Sequence, residues 1–104
     1  MNNAGVGLAK GTLASTKEDI DFTFGVNVYA PIFMVQAVIP HMPHGGRIIN
    51  ISSVASKVGD PFSCLYGPSK AALDSLSYTW ASEVLPWNSR KLYTNAKFLL
   101  VRSQ

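Results

Sequence analysis

Apolar residues along this chain follow two different periodicities. Between residues 27 and 42 they recur at intervals of three and four, at Val28, Ile32, Val35 and Ile39. This spacing predicts a helix, and because other apolar residues widen its face, we expect it to be buried on more than one side. Residues 47–51 form a short apolar run instead. Such a run predicts a strand that is buried on both faces, as parallel strands usually are.

A second helix is predicted to begin at Tyr66, where Tyr-Gly-Pro-Ser-Lys precedes an apolar stripe. The stripe consists of Leu73, Leu76, Trp80 and Val84. Pro68 is compatible with this helix because the first turn needs no amide donors, whereas Pro86 is predicted to end it. The body of the helix then covers residues 69–85.

Weaker patterns predict the remaining elements. The Ser15-x-x-Glu18 spacing is a capping box, which predicts a helix that starts near Ser15 and continues, with a break near Gly25, into residues 27–42. Residues 98–101 are predicted to form a strand. Two histidines lie in the turn before the strand at 47–51, but without a further ligand nearby no metal site is predicted.

Ser53, Tyr66 and Lys70 are the candidate reactive residues. Positions four apart share one face of a helix, so Tyr66 and Lys70 are predicted to lie side by side. A tyrosine ordinarily has a pKa of about 10, and an adjacent cation favours the phenolate that proton transfer near neutral pH requires. Ser53 precedes Tyr66 by thirteen residues and ends the predicted strand, where open α/β sheets bind ligands. The alternative is an exposed lysine beside a half-buried tyrosine, because the bare spacing is common.

This combination resembles the short-chain dehydrogenase/reductase family. In that family a strand that ends in a serine-containing turn, followed thirteen residues later by Tyr-x-x-x-Lys, carries the active site. Two further family motifs are matched, the Asn-Asn-Ala-Gly signature by residues 2–5 and an active-site asparagine by Asn27. Taken alone, the first is equally well a turn and the second a satisfied polar residue of a helix. Four motifs in the family order make the resemblance specific.

The resemblance implies an α/β fold, namely a fragment of a Rossmann-type doubly wound parallel sheet. It also implies hydride transfer between NADP or NAD and a carbonyl or alcohol substrate. By resemblance, Tyr66 exchanges a proton with the substrate oxygen and Ser53 hydrogen-bonds that oxygen. Lys70 tunes Tyr66 and holds the cofactor ribose, while Asn27 positions a relay water. The implied cofactor-binding residues are Asn3, Ala4, Gly5, Tyr66 and Lys70.

The sequence departs from the family pattern at both ends. It contains no Gly-x-x-x-Gly-x-Gly or Gly-x-Gly-x-x-Gly turn, on which the family binds the cofactor pyrophosphate. Residues 87–104 contain no Pro or Gly, so the Pro-Gly turn of the family is also missing. We therefore interpret residues 1–104 as a single partial domain, family-like over 1–88 with a divergent tail over 89–104, and expect weak cofactor binding. The alternative is a catalytically inactive truncated remnant that only self-associates.

Composition argues against several other classes of protein. The net charge is +3, but four of the nine basic residues fall in the last fifteen positions, which is typical of a solvated tail and not of a nucleic-acid interface. The single cysteine, Cys64, excludes an internal disulfide. Neither a run of about eighteen apolar residues nor a basic segment followed by an apolar run occurs, so we predict no membrane span and no signal peptide. A cytoplasmic location is expected.

Two kinds of partner are expected. One is a small-molecule carbonyl or alcohol, which the sequence does not identify further. The other is a second copy of the chain. The helices 27–42 and 69–85 carry more apolar surface than 104 residues can cover, and in the family the matching helices commonly form the subunit interface. The resemblance therefore implies a homo-oligomer through these helices.

Overall fold

The computed structural model describes residues 2, 4–41, 47–87 and 97–103. In chain order the elements are a 3₁₀ turn (Thr12–Ala14), helix α1 (Lys17–Phe24), a π-helical turn (Gly25–Tyr29), helix α2 (Ala30–Val38), a 3₁₀ turn (Ile39–His41), strand β1 (Arg47–Ser53), a 3₁₀ turn (Val54–Ser56), helix α3 (Tyr66–Trp87) and strand β2 (Lys97–Ser103). Two parallel strands joined through a helix form an α/β arrangement, as the sequence predicts.

Helix α1 begins one residue later than the predicted capping box. Thr16 is the N-cap, since its hydroxyl accepts a hydrogen bond from the Asp19 amide (3.2 Å) and the Asp19 carboxylate accepts one from the Thr16 amide (3.0 Å). The Ser15 hydroxyl instead donates to the Gly11 carbonyl. The predicted box between Ser15 and Glu18 is therefore wrong, although a box of the same type caps the helix one position further on.

The predicted break near Gly25 is a π-helical turn. Over Gly25–Tyr29 the helix widens, and the Ala30 amide donates to the Gly25 carbonyl five residues earlier. Single π turns of this kind occur inside longer helices, frequently at functional sites. Helix α2 ends at Val38, and a 3₁₀ turn continues to His41. The predicted end of this helix at residue 42 lies outside the described residues.

Helix α2 is buried on one side, which corrects the expectation of burial on several sides. Pro31 and Val35 are buried. Phe33, Met34 and Val38 are 64%, 55% and 40% exposed. The reason is that α3 and β1 contact the helix on its Val35 side, and no element in the described ranges covers the opposite face.

The helical segment Lys17–His41 is long and apolar enough to cross a membrane by length and composition alone. Core helices of soluble domains meet the same criterion. In this structure Thr23, Asn27 and Val28 of the segment are buried against the rest of the chain. The absence of a membrane span stays a prediction.

Helix α3 starts at Tyr66 as predicted, with Pro68 in its first turn. It includes Pro86 and ends at Trp87, so the predicted stop is too early. A proline near the end of a helix removes its own amide hydrogen bond, and the last turn can persist without that bond.

Strand β1 is central, because it is paired along both edges. It pairs in parallel with β2 in a register that runs from Arg47 opposite Lys97 to Ser53 opposite Ser103. The strand predicted at residues 98–101 is thus confirmed and is longer. At the other edge the Asn2 amide donates to the Ile49 carbonyl (2.6 Å), and the Ile51 amide donates to the Asn2 carbonyl (3.0 Å).

The hydrophobic core lies on one face of β1. Its buried members are Val35 from α2, Ile48 from β1, and Leu73 and Trp80 from the predicted stripe of α3. Successive strand residues point to opposite faces, and on the other face Ile49 and Ile51 are only partly buried. The expectation of a strand buried on both faces is therefore wrong for the described residues, because α2 and α3 both pack on the Ile48 side.

Candidate active site

Lys70 and Tyr66 lie side by side in the first turns of α3, as predicted. The ammonium nitrogen of Lys70 is 5.8 Å from the centre of the Tyr66 ring. It donates a hydrogen bond to the Ile51 carbonyl (3.0 Å), two residues before the end of β1. This bond fixes the first turns of α3 to the C-terminal end of β1.

Lys70 is buried, with 3% of its surface exposed, which rules out the alternative of an exposed lysine. Burial lowers the pKa of the Lys70 ammonium below its ordinary value, and the negative charge of Asp74 opposes part of this lowering. Tyr66 is only partly buried. The pair therefore combines an enclosed cation with a phenol that remains accessible.

Ser53 is buried at the end of β1, where it caps the following 3₁₀ turn. Its hydroxyl accepts a hydrogen bond from the Ala55 amide (3.2 Å). The turn lies against the start of α3, since a Cβ built on Gly67 would come within 2.7 Å of the Ala55 carbonyl oxygen. The fold thus brings the Ser53 turn to the helix of Tyr66 and Lys70. In the described part of the chain, no hydrogen bond joins Ser53 to either of these side chains.

Asn27 is buried in the π-helical turn, and its side chain binds two other segments. Its Oδ1 accepts from the Val6 amide (2.8 Å), and its Nδ2 donates to the Val6 carbonyl (2.8 Å) and to Ser69 Oγ (2.9 Å). These bonds use both amide protons and leave one acceptor position on Oδ1. Asn27 therefore fastens the N-terminal loop to α3, and its role in positioning a relay water stays a prediction.

The N-terminal loop passes directly beside both helix residues. A Cβ on Gly5 would lie 3.0 Å from Lys70 Nζ, and one on Gly7 would lie 3.3 Å from Tyr66 Cδ1. Glycine allows the backbone to approach these side chains this closely. The predicted loop residue Gly5 is therefore in the site.

The structure describes four of the five residues predicted to bind the cofactor, namely Ala4, Gly5, Tyr66 and Lys70. After its bond to Ile51, the Lys70 ammonium has two further protons to donate, and Ala4 and Gly5 are exposed. Asn3, the other predicted loop residue, lies outside the described residues. A glycine-rich phosphate turn does not occur in the 104-residue sequence.

The family model described as short chain dehydrogenase matches residues 1–96. The chain belongs to the short-chain dehydrogenase family. The match extends beyond residue 88, where the motifs alone place the end of the resemblance.

Similar proteins of this family include two fungal sugar reductases. L-xylo-3-hexulose reductase of Hypocrea jecorina is 41% identical over 91 residues, in a match that covers 81% of this chain and 30% of that protein. L-xylulose reductase of Aspergillus niger is 38% identical over 93 residues, covering 81% of this chain and 31% of that protein. This chain therefore spans about a third of the length of these relatives.

Solved short-chain dehydrogenases share the fold of this chain. A member from Burkholderia phymatum in complex with NAD has a TM-score of 0.85 at 29% identity, covering 97% of this chain and 35% of that chain. Angucycline C-6 ketoreductase LanV with bound NADP has a TM-score of 0.80 at 33% identity, covering 97% and 36%. The chain is thus a portion of a Rossmann-type α/β fold.

Sequence reasoning missed Asn50, a buried residue that links three elements of this short-chain dehydrogenase chain. Its Oδ1 accepts from Asn2 Nδ2 (2.8 Å), and its Nδ2 donates to Ser77 Oγ on α3 (2.8 Å). The Ser77 hydroxyl in turn donates to the Leu73 carbonyl (2.9 Å). The available signal was an amide side chain inside an otherwise apolar strand, where it needs hydrogen-bond partners.

Proposed function

We propose that this chain carries the catalytic portion of an NAD(P)-dependent oxidoreductase that reduces a carbonyl or oxidises an alcohol. The observation that carries the proposal is the buried Lys70 ammonium, bound to the Ile51 carbonyl and placed beside the accessible ring of Tyr66. This pair is at the C-terminal end of β1, where open α/β sheets bind ligands. Membership of the short-chain dehydrogenase family supports the same class of reaction.

Tyr66 is the proposed proton donor or acceptor for the substrate oxygen. The Lys70 ammonium lies 5.8 Å from the centre of the Tyr66 ring and is proposed to assist this proton transfer. Ser53 is proposed to hydrogen-bond the same oxygen. Because its Oγ accepts from the Ala55 amide, its own proton remains available for donation. A donor aimed at an oxygen that gains negative charge stabilises the transition state.

NADP or NAD is the proposed cofactor, and it supplies the hydride. Two solved structures with similar folds have NADP or NAD bound. The residues proposed to bind the cofactor are Asn3, Ala4, Gly5, Tyr66 and Lys70, of which Lys70 is proposed to hold the ribose. Asn27 is proposed to position a relay water through the acceptor position that its contacts with Val6 leave on Oδ1.

Small-molecule substrates and self-association complete the proposal. The names of the two fungal relatives as sugar reductases support a small carbonyl compound as substrate. Association through the helices at 27–42 and 69–85 is supported by large apolar side chains exposed on both: Phe33 and Met34 on α2 and Tyr78 on α3.

We also propose a cytoplasmic location, because the single cysteine leaves no pair for an internal disulfide.

A chimeric domain tests the proposed site. The 104 residues replace the matching segment of L-xylulose reductase of Aspergillus niger, which supplies the rest of the domain. Oxidation of NADPH and NADH is followed spectrophotometrically with a panel of ketones and aldehydes. Tyr66→Phe should reduce turnover at least about a hundredfold, the low end for a positioned acid or base. Lys70→Ala should reduce turnover and weaken cofactor binding.

Tyr78→Phe is the matched control, because it makes the same change at an exposed tyrosine of the same helix. It should leave turnover unchanged. Near-full activity of Tyr66→Phe would show that the Tyr-x-x-x-Lys motif is structural. A folded, cofactor-binding chimaera without any turnover would favour the inactive, self-associating alternative.

A further inference from the structure

Asp74 is a buried carboxylate next to the candidate site, and none of the roles proposed above uses it. It lies one helical turn after Lys70 on α3 and is 3% exposed. Its Oδ2 accepts a hydrogen bond from Ser56 Oγ (2.8 Å), whereas its Oδ1 is buried without a hydrogen-bond partner among the described residues. A buried carboxylate that is only half satisfied is unfavourable unless a nearby charge compensates it.

Lys70 is the group that can provide this compensation. Residues four apart on a helix are neighbours, so the two charges face the same side of α3. Among the described residues no acidic group lies within salt-bridge distance of Lys70. Asp74 is the carboxylate whose negative charge opposes the lowering of the Lys70 pKa by burial. Among the described residues, the other groups placed against the ammonium are the Tyr66 ring on the same helix, the Ile51 carbonyl of β1 and the Gly5 backbone of the N-terminal loop.

The second contact of Asp74 reaches the other half of the site. Ser56 belongs to the 3₁₀ turn that Ser53 caps, and this turn lies against the start of α3. The Asp74 carboxylate therefore links the 3₁₀ turn that Ser53 caps to α3, the helix that also carries Lys70.

We propose that Asp74 is a positioning residue of this site: its carboxylate is the counter-charge of the buried Lys70 ammonium and anchors the Ser53 turn to α3 through Ser56. The inference rests on the proposed function for the importance of Lys70 and Ser53. Its test uses neither substrate nor cofactor, so a failure of the proposed catalytic role leaves the outcome interpretable.

The test is a pH titration of Lys70 by nuclear magnetic resonance, on the full chain with carbon-13 labelled lysine. The resonance that disappears in Lys70→Met identifies the residue. Asp74→Asn removes the charge but keeps an oxygen that accepts from Ser56, and it should lower the titration midpoint of Lys70. Ser56→Ala removes the hydrogen bond but keeps the charge, and it should leave the midpoint close to that of the unchanged chain.

Glu83→Gln is the control for loss of a negative charge, because Glu83 is an exposed residue further along the same helix. It should not move the midpoint. The proposal is overturned if a folded Asp74→Asn variant titrates like the unchanged chain, or if Ser56→Ala moves the midpoint as far as Asp74→Asn does.

A second measurement applies if Asp74→Asn does not fold, as judged by circular dichroism. Loss of the counter-charge leaves an uncompensated buried ammonium, and Lys70→Met removes that ammonium. The double variant Lys70→Met/Asp74→Asn should then recover the folded signal. A double variant that is as unfolded as Asp74→Asn would refute the counter-charge role, since its defect could not come from Lys70.

Discussion

The Lys70 ammonium donates a hydrogen bond to the Ile51 backbone carbonyl at 3.0 Å. The bond joins α3 to β1 across nineteen positions of sequence and holds a buried cation at the C-terminal end of β1. Because this hydrogen bond forms within the chain, its effect on Lys70 can be measured in the isolated chain.

The first prediction is that Lys70 makes folding stability rise with pH in the alkaline range. Burial lowers the pKa of Lys70 in the folded chain from its ordinary value of 10.5. Between that lowered pKa and 10.5 the unfolded chain binds more protons than the folded one, so the free energy of unfolding increases with pH. Urea unfolding at several pH values up to 10.5 measures this slope. Lys70→Met should reduce it, whereas Lys57→Met, a change at an exposed lysine, should not. A slope that is equal in both variants contradicts the prediction.

The second prediction concerns Gly67. An alanine Cβ at this position would lie 2.7 Å from the Ala55 carbonyl oxygen, so the turn after Ser53 would have to move. Gly67→Ala should therefore destabilise the chain by roughly 1–3 kcal/mol, as overpacking usually does. Gly25→Ala is the matched control, because nothing lies within 4 Å of its Cβ and alanine favours helices by up to about 1 kcal/mol. Equal melting temperatures for the two variants would argue against the close approach.

The third prediction tests the buried hydrogen-bond chain through Asn50. Ser77→Ala leaves Asn50 Nδ2 without its acceptor inside the protein and should cost about 1–3 kcal/mol of stability. Ser75→Ala makes the same change at an exposed position of the same helix and should alter stability by no more than about 0.5 kcal/mol. Chemical unfolding of the two variants compares them directly. The role of Asn50 in linking β1 to α3 is not supported if both behave like the unchanged chain.

The fourth prediction is that the 104-residue chain alone binds NAD(H) and NADP(H) with a Kd above about 1 mM. Its sequence lacks the glycine-rich turn that presents backbone amides and a helix N-terminus to the pyrophosphate. Isothermal titration of the isolated chain tests this, with the chimeric domain as the positive control. Micromolar binding to the isolated chain would refute the prediction.

The fifth prediction is that the chain self-associates at micromolar concentration through the exposed face of α2. Met34→Lys places a charge in this face and should reduce the particle size measured by light scattering. Leu13→Lys is the control, since Leu13 is fully exposed and lies outside α2 and α3. Leu76 and Trp80 of α3 are unsuitable for such a test, because Trp80 belongs to the core and Leu76 packs against it. A monodisperse monomer with a cooperative melt would contradict the prediction.

The sequence by itself determined the local elements and the family. The spacing of Tyr66 and Lys70 on one helix face, the strand at β1 and the helix break near Gly25 all follow from short-range rules, because periodicity, β-branching and glycine act within a few residues. Four motifs in order were enough to indicate the short-chain dehydrogenase family, which the match over residues 1–96 establishes. Local rules placed the ends of the helices less accurately: the N-cap of α1 is Thr16 and not the predicted Ser15.

Only the tertiary structure decided which side chains meet. The bonds from Asn27 to Val6, from Lys70 to Ile51 and from Asp74 to Ser56 join residues that are 18 to 21 positions apart. The bond from Asn50 to Asn2 joins residues 48 positions apart. Periodicity shows that such a residue faces inward, but its partner depends on how helices and strands are packed. The same reason explains why the sequence overestimated the burial of α2 and β1: an apolar face is read locally, while the element that covers it comes from elsewhere in the chain.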